Sequence, residues 1–142
     1  MKKVLQFVFL ILLTQACGVI KNTDKIIFRH INLNRPHGTI NLEVQKSEIE
    51  KLIENRNGRF FLKDHTFGFA KTIELKFDIK NSLKKAIFSY PSNWDKNLEI
   101  QEYQSLLGKP YFKNGKTIWN DGKTQFEIYT KDNQSYSQLI DL

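Results

Sequence analysis

The chain has 142 residues, a formal net charge of +7, 13% aromatic residues and a single cysteine. This length suits one domain with a core of its own, and the eleven Phe residues supply large apolar side chains for that core. One cysteine excludes an intrachain disulfide, so packing must provide the stability.

The first feature along the chain is a short apolar run with charged and small residues around it. Lys2 and Lys3 precede the mostly apolar residues 4–13, and the small residue Ala16 follows them. Cations, an apolar run and then a small residue are the three parts of a secretory signal. The run is shorter than the roughly 20 apolar residues that a membrane-spanning helix needs. The pattern predicts export by a signal peptide of residues 1–16.

The residue after Ala16 is Cys17, whose thiol is the kind of nucleophile that thioether lipidation needs. The segment Leu13-Thr14-Gln15-Ala16-Cys17-Gly18 resembles the lipobox of bacterial lipoproteins, although that family usually carries Leu where Thr14 stands. The resemblance implies that the signal is removed before Cys17 and that the cysteine is lipidated. An ordinary exported protein with a chance cysteine and an uncleaved N-terminal anchor helix are the alternatives.

The lipobox divides the chain into a signal, a tether and one domain. Residues 17–25 are the predicted lipidated N-terminus and tether, and residues 26–142 the single domain. Eight extended residues after the cysteine reach at most about 28 Å, so the domain would stay near the bilayer. By resemblance to lipoprotein sorting, Gly18 implies the outer membrane, with the domain facing the periplasm.

The basic charge has a different meaning in an exported protein than in a cytoplasmic one. Nucleic acid is not an expected partner in the envelope. Weak, salt-sensitive attraction to anionic lipid or glycan surfaces is one interpretation of the lysines, which are spread along alternating strand positions. A merely solvated face is the other.

The first half of the domain is predicted to contain two strands, a helix and three more strands. Alternating apolar residues and a turn cluster predict a hairpin of residues 26–33 and 39–44. Residues 46–55 are predicted to form a helix, with Ser47 and Glu50 as its capping box and Asn57-Gly58 as its stop. Strands are predicted at residues 60–63, 71–80 and 85–90. In the second of these, alternation predicts one buried face that includes Ile73 and Ile79 and one solvated face that includes Glu74.

The second half repeats this order. Residues 94–107 are predicted to contain a helix that ends at Gly108 and has Tyr103 and Leu106 on its apolar face. The tripeptide Asn120-Asp121-Gly122 predicts a tight hairpin between two strands. The predicted strands are residues 117–119, 123–130 and 135–142.

This order predicts an α+β fold: an antiparallel sheet or sheets with two short helices packed on one face. It is consistent with a doubled helix-plus-three-strand unit. Residues 103–110, Trp119 and residues 124–128 are similar to small outer-membrane lipoproteins that assist barrel assembly and to the β-lactamase-inhibitor-like fold. Those proteins also run helix, Leu-Gly-x-Pro turn, aromatic strand and strand, so the resemblance implies a fold.

No catalytic residue, metal ligand or cofactor site is predicted. Asp64-His65-Thr66 is read as a surface loop, because triad geometry is normally assembled from distant segments. His30, His37 and His65 are too scattered for metal-ligand spacing. Glu99 and Glu102 are read as solubilising charges rather than as an acid–base pair.

A partner-binding surface is predicted where a strand connects to the second helix. Tyr90, Trp94 and Lys96 lie in this connection, and aromatic rings beside a lysine could stack on a sugar or anchor a protein. The alternative is that Trp94 folds back over the start of the helix. Trp119, beside the hairpin turn, is interpreted either as part of a binding surface or as a core residue.

The function predicted from these features is that of a non-catalytic envelope lipoprotein that binds or scaffolds a protein or glycan partner at the membrane surface. A periplasmic inhibitor or immunity protein against a toxin or hydrolase is the alternative, suggested by the inhibitor-like fold. A small envelope hydrolase is a third hypothesis, but it lacks a recognisable nucleophile and base.

Overall fold

The structure is a computed structural model and describes residues 26–33, 38–63 and 69–142. Its helices within these residues are a 3-10 helix, Lys46–Leu52, and an α-helix, α1, Lys96–Leu107. Its strands are β1 (His30–Asn32), β2 (Thr39–Asn41), β3 (Ile53–Arg56), β4 (Arg59–Leu62), β5 (Thr72–Phe77), β6 (Leu83–Ser89), β7 (Tyr111–Lys113), β8 (Lys116–Asn120), β9 (Thr124–Lys131) and β10 (Gln134–Asp141).

The strands form one small and one large antiparallel sheet. β1 pairs with β2 as a hairpin, and the other strands form a sheet in the order β3-β4-β5-β6-β10-β9-β8-β7. Each half of the large sheet is a run of four consecutive strands, β3 to β6 after the 3-10 helix and β7 to β10 after α1. The halves meet where β6 pairs with β10. This antiparallel sheet with two helices agrees with the predicted α+β class.

Each half contains four strands rather than the predicted three, and the missed strands are the two edges, β3 and β7. β3 occupies residues predicted to end the first helix. β7 has three residues between Pro110 and Asn114, which is too short for an alternating pattern to be visible.

The predicted first helix, residues 46–55, is present, but its predicted cap and its predicted end are wrong. It is a 3-10 helix, and its capping box is formed by Gln45 and Glu48 instead of Ser47 and Glu50. The side chain of Glu48 accepts a hydrogen bond from the backbone N–H of Gln45 at 3.0 Å. The helix therefore begins two residues earlier than the Ser-x-x-Glu pattern indicates.

The last residues of that predicted helix belong to the large sheet. The helix stops at Leu52, and Ile53 begins β3 opposite Leu62. Asn57 and Gly58 form the β3–β4 hairpin turn instead of a helix stop, with φ of 52° and 80°. Positive φ at both positions is the geometry that Asn-Gly favours in tight hairpins. So short a helix has little stability of its own, so strand pairing decides the conformation.

β5 keeps the predicted alternation only as far as Phe77. Ile73 and Leu75 are buried, but Ile79 is 100% exposed because the strand has already ended. Glu74, predicted to lie on a wet face, is only 7% exposed. The second face of β5 is therefore covered by other side chains.

α1 confirms the helix predicted within residues 94–107. Asp95 caps it by accepting hydrogen bonds from two backbone N–H groups, so the helix starts later than Trp94. Gly108 ends it as predicted, with φ of 88°. Tyr103 packs against the core, whereas Leu106, predicted on the same apolar face, is 59% exposed.

One face of the large sheet, the core face, carries the apolar interior. Strand registers align Leu75, Ala86, Leu139, Phe126 and Trp119 in a row across five strands. All five are at most 2% exposed. The same buried cluster also contains Ile31, Ile40, Ile49 and Leu107 from the small sheet and the two helices.

Polar contacts fasten the β1–β2 hairpin to one end of the large sheet. Arg29 donates a hydrogen bond to the Thr124 hydroxyl at 2.6 Å and forms ion pairs with Asp141 and Glu43. Lys84 forms a second ion pair with Asp141. Burial alone would raise the pKa of Asp141, but hydrogen bonds from Lys84 and Arg29 outweigh it and lower the pKa below its ordinary 3.8.

Candidate functional site

Two of the three residues predicted to bind a partner are in contact at the β6–α1 connection. The rings of Tyr90 and Trp94 stack with centroids 3.8 Å apart. Tyr90 is 8% exposed, and its hydroxyl lies 2.7 Å from Ser137 Oγ; burial raises the pKa of Tyr90 to about 12. Lys96 donates a hydrogen bond to Thr130 at 3.1 Å. These contacts hold the connection against the sheet, and its role in binding a partner stays a prediction.

The other residues that the sequence analysis singled out lie apart from the β6–α1 connection. Trp119 is core, and its indole N–H donates to the carbonyl of Gly108 at 2.9 Å. His30 packs edge-on against Phe28, with ring centroids 6.2 Å apart. The predicted lipidation site Cys17 lies outside the described residues.

His37 and the Asp64-His65-Thr66 loop also lie outside the described residues. In the part of the chain that the structure describes, no group of three His, Cys, Asp or Glu residues is placed to hold a metal ion. No helix of that part is long and apolar enough to cross a membrane.

Glu99 lies at the edge of the core rather than at a cleft. Burial raises the pKa of the Glu99 carboxyl, and the charge of Glu102 raises it further. Glu99 in turn contributes to the raised pKa of Tyr90 and of Tyr103.

The second face of the large sheet, the polar face, brings charged residues of seven of its eight strands together. The registers align one residue from each strand in a continuous row across it. That row is Glu54, Phe61, Glu74, Ile87, Gln138, Glu127, Ile118 and Tyr111.

Glu74 is the buried carboxylate of the first half of this row. Arg59 donates to both of its oxygens, from Nε at 3.0 Å and from Nη2 at 2.6 Å, and Lys76 lies 3.5 Å away. The hydrogen bonds from Arg59 are the largest cause holding the pKa of Glu74 below its ordinary 4.5. Bidentate pairing of this kind compensates a carboxylate for lost hydration.

Glu127 is the buried carboxylate of the second half and is 4% exposed. Lys116 donates to it at 2.7 Å, and the side-chain amide of Gln125 donates at 2.5 Å. Gln138, on the neighbouring strand, donates a further hydrogen bond. Three side chains thus donate hydrogen bonds to one carboxylate that is almost fully buried.

The two ion pairs occupy equivalent positions in the two halves. Asn57-Gly58-Arg59 turns from β3 into β4, and Asn114-Gly115-Lys116 turns from β7 into β8. The Asn and Gly have φ of 52° and 80° in the first turn, and of 51° and 74° in the second. In each half the cation after the turn binds the carboxylate of the next strand, Glu74 or Glu127.

A tyrosine pair lies beside these charges on the polar face. Tyr129 and Tyr136 stack with ring centroids 5.4 Å apart, and Lys116 Nζ lies 4.9 Å from the centre of the Tyr129 ring. Burial raises the pKa of Tyr129, and Glu127, Tyr136 and Glu74 raise it further. Glu74 belongs to β5, three strands away from Tyr129 in the sheet.

Cations outnumber carboxylates on the polar face. The registers place seven cationic residues of the described strands there against three carboxylates. The cations are Arg56, Arg59, Lys76, Lys85, Lys113, Lys116 and Lys131, and the carboxylates are Glu54, Glu74 and Glu127. Each carboxylate already pairs with a cation of this face, so the net charge is positive.

A cavity of about 350 Å³ opens at the β3–β4–β5 end of the polar face. It is lined by Glu54, Arg56, Phe61, Leu62, Lys63, Lys71 and Thr72. Arg56 and Arg59 each place a guanidinium carbon 5.1 Å from the centre of the Phe61 ring. Cationic side chains thus surround an aromatic wall.

No protein-family model, curated protein or solved structure matches this chain significantly.

The polar face was not among the surfaces predicted from the sequence. Lysines at alternating positions look dispersed along the chain, and only the registers of eight strands gather them on one face. The signal that could have indicated it is the repeated Asn-Gly-cation turn at residues 57–59 and 114–116. Each copy stands before a strand whose neighbour carries the matching carboxylate.

Proposed function

We propose that this chain is a lipid-anchored, non-catalytic protein of the bacterial envelope whose polar face binds a protein or glycan partner at the membrane surface. The lipobox-like segment that ends in Cys17 supports the anchor. Gly18 supports the outer membrane as the location, with the domain facing the periplasm. A tether of about eight residues would hold the polar face within reach of envelope components.

We also infer that both helices and the β1–β2 hairpin lie on the core face. Ile49 of the 3-10 helix, Leu107 of α1 and Ile31 of β1 support this, because they belong to one buried cluster with the core-face residues. The arrangement leaves the polar face without a covering layer among the described residues. An antiparallel sheet commonly keeps one face packed and the other available.

The observation that carries the proposal is the excess of positive charge on the polar face. Its carboxylates are paired, whereas Lys85, Lys113 and Lys131 have no ion-pair partner among the described residues. Such a face attracts anionic groups and raises the rate of encounter with them.

The polar face also carries groups that can orient a bound partner. The tyrosine pair supplies flat apolar surface with hydroxyls at its edge, as sugar- and protein-binding surfaces commonly do. Glu127 already accepts hydrogen bonds from Lys116, Gln125 and Gln138, which suits a positioning role better than proton transfer. These features favour recognition over catalysis.

Lysine acetylation in native membranes tests the proposal. We expect Lys85, Lys113 and Lys131 to react several-fold more slowly in the full-length protein in its envelope than in the purified protein, because a partner covers them. About 1 M salt should restore their reactivity, since an anionic partner would then be screened. Lys80 and Lys109, which are exposed off this face, serve as internal controls.

A Cys17→Ser variant provides the second arm of this experiment. We expect it to leave the membrane fraction, to incorporate no labelled lipid and to lose the protection of the polar-face lysines. Equal reactivity of all five lysines in native envelopes would overturn the binding role, and membrane retention of the variant would overturn the anchor. Protection only in the presence of a toxin or hydrolase would favour the inhibitor alternative.

A further inference from the structure

The cavity at the end of the polar face exists because β4 and β5 diverge. They pair only at Phe60–Leu75 and Phe61–Glu74. Beyond Phe61 the described residues of β4 have no further partner in β5, whereas the backbone N–H of Lys63 continues the β3–β4 pairing by donating to Leu52 at 2.8 Å. The space of about 350 Å³ between the separating strands is therefore a product of the strand registers.

The charged groups that line this space favour an anion. Among the described residues, the lining has three cations, Arg56, Lys63 and Lys71, and one carboxylate, Glu54, which is paired with Arg56. Lys63 donates to a backbone carbonyl at 3.3 Å, and Lys71 has no ion-pair partner among the described residues. An anionic group can thus gain charge-assisted hydrogen bonds without displacing a strong pair.

The other lining groups favour an anion that also carries hydroxyls. Glu54 pairs with Arg56 and can accept further hydrogen bonds. Its charge would repel an anion without hydroxyls, but it would accept hydrogen bonds from the hydroxyls of a larger one. Thr72 adds a hydroxyl and Phe61 an apolar wall. The volume lies near the lower limit for small-molecule pockets, which suits one sugar unit.

We propose that this cavity binds an acidic sugar residue, with Arg56, Lys63 and Lys71 holding its carboxylate or phosphate and Glu54 accepting from its hydroxyls. This inference rests on the function proposed above and names the chemistry of the partner. Within that function it makes the ligand a glycan rather than a protein.

Binding of small sugars to the purified full-length protein tests this inference by calorimetry or NMR titration. Glucuronate and glucose 6-phosphate should bind about tenfold or more tightly than neutral glucose, because glucose lacks the anionic group. They should also bind more tightly than acetate or inorganic phosphate, which lack the hydroxyls. Equal binding of glucose and glucuronate would overturn the anion site, and equal binding of acetate and glucuronate would overturn the assignment to a sugar.

Two variants separate the cavity from general surface charge. The double variant Arg56→Gln and Lys71→Gln should weaken glucuronate binding about tenfold or more. Lys80→Gln, at an exposed lysine outside the cavity, should leave it unchanged. Undiminished binding by the double variant would contradict the proposal, provided that the thermal unfolding midpoints of all three proteins agree within a few degrees.

The same variant distinguishes this inference from the function on which it rests. If the wild-type protein binds none of the sugars while the double variant retains salt-sensitive protection of Lys85, Lys113 and Lys131 in native envelopes, only the cavity assignment is wrong. If the wild-type lysines are not protected at all, the proposed function fails whatever the sugars do.

Discussion

Glu127 shows at the scale of one residue why the polar face is more than a solvated surface. A carboxylate that is 4% exposed has lost most of its hydration, and Lys116, Gln125 and Gln138 replace that hydration. A buried charge is tolerated only when it is paired and hydrogen-bonded in this way. Most of these donors come from neighbouring strands, so alternation along one strand could not have predicted the burial.

Replacing Glu127 by Ala should therefore be costly. We expect Glu127→Ala to lower the free energy of unfolding by about 2–4 kcal/mol, because three donors lose their acceptor and a space opens in the sheet face. Urea denaturation followed by circular dichroism measures the change.

Glu54→Gln is the matched control for that measurement. Glu54 pairs with Arg56 at an exposed site, and exposed pairs contribute at most about 1 kcal/mol. A loss for Glu127→Ala no larger than for Glu54→Gln would show that the Glu127 network contributes little to stability.

The elements differ in how strongly their own sequence specifies them. α1 is specified locally, since a cap at Asp95 and a stop at Gly108 bracket its residues. The 3-10 helix is not specified locally, because pairing with β4 stabilises the last residues of the predicted helix as the edge strand β3. The two Asn-Gly hairpins are local signals too, but the same dipeptide can end a helix, and only the following strand decides between the two meanings.

The Asn114-Gly115 turn yields a prediction at this scale. Gly115 has φ of 74°, and a Cβ placed on it would meet no atom within 4 Å. Gly115→Ala should therefore cost about 1–2 kcal/mol through backbone conformation alone. Thermal or urea unfolding measures this loss.

A D-alanine at the same position separates conformation from contacts. It prefers positive φ, so a semisynthetic protein carrying it should be at least as stable as the parent. If D-alanine destabilises the protein as much as L-alanine does, backbone strain is not the cause of the loss.

For the whole molecule, paired carboxylates connect the two halves and the hairpin into one pH-sensitive unit. Glu74 secures the polar face of the first half, and Asp141 secures the β1–β2 hairpin through Arg29. The pKa values of Glu74 and Asp141 lie below their ordinary 4.5 and 3.8. A carboxyl with a lowered pKa in the folded state binds protons more readily when unfolded, so its contribution is complete above the unfolded pKa and is lost as the pH falls.

We therefore expect the free energy of unfolding to decline from about pH 4.5 downward, through the lowered pKa values of these two groups. The raised pKa of Glu99 acts in the opposite direction, since protonation relieves its burial, and it opposes this loss at the start of the decline. Urea titrations between about pH 2 and pH 7 measure the slope.

Charge-neutral variants identify the groups responsible for the slope. Asp141→Asn and Glu74→Gln should lower stability at neutral pH and flatten the acid decline. A decline that keeps its full slope in both variants would assign the acid sensitivity to other groups.

The amino-acid sequence by itself determined the α+β class, α1 with its caps, the β8–β9 hairpin and the resemblance of the Cys17 segment to a lipobox, because each depends on neighbours within a few residues. Only the tertiary structure decided the edge strands β3 and β7, the burial of Glu74 and Glu127, and the gathering of cations on the polar face. The physical reason is strand register: pairing across eight strands brings together residues that are dozens of positions apart, and no local pattern encodes that distance.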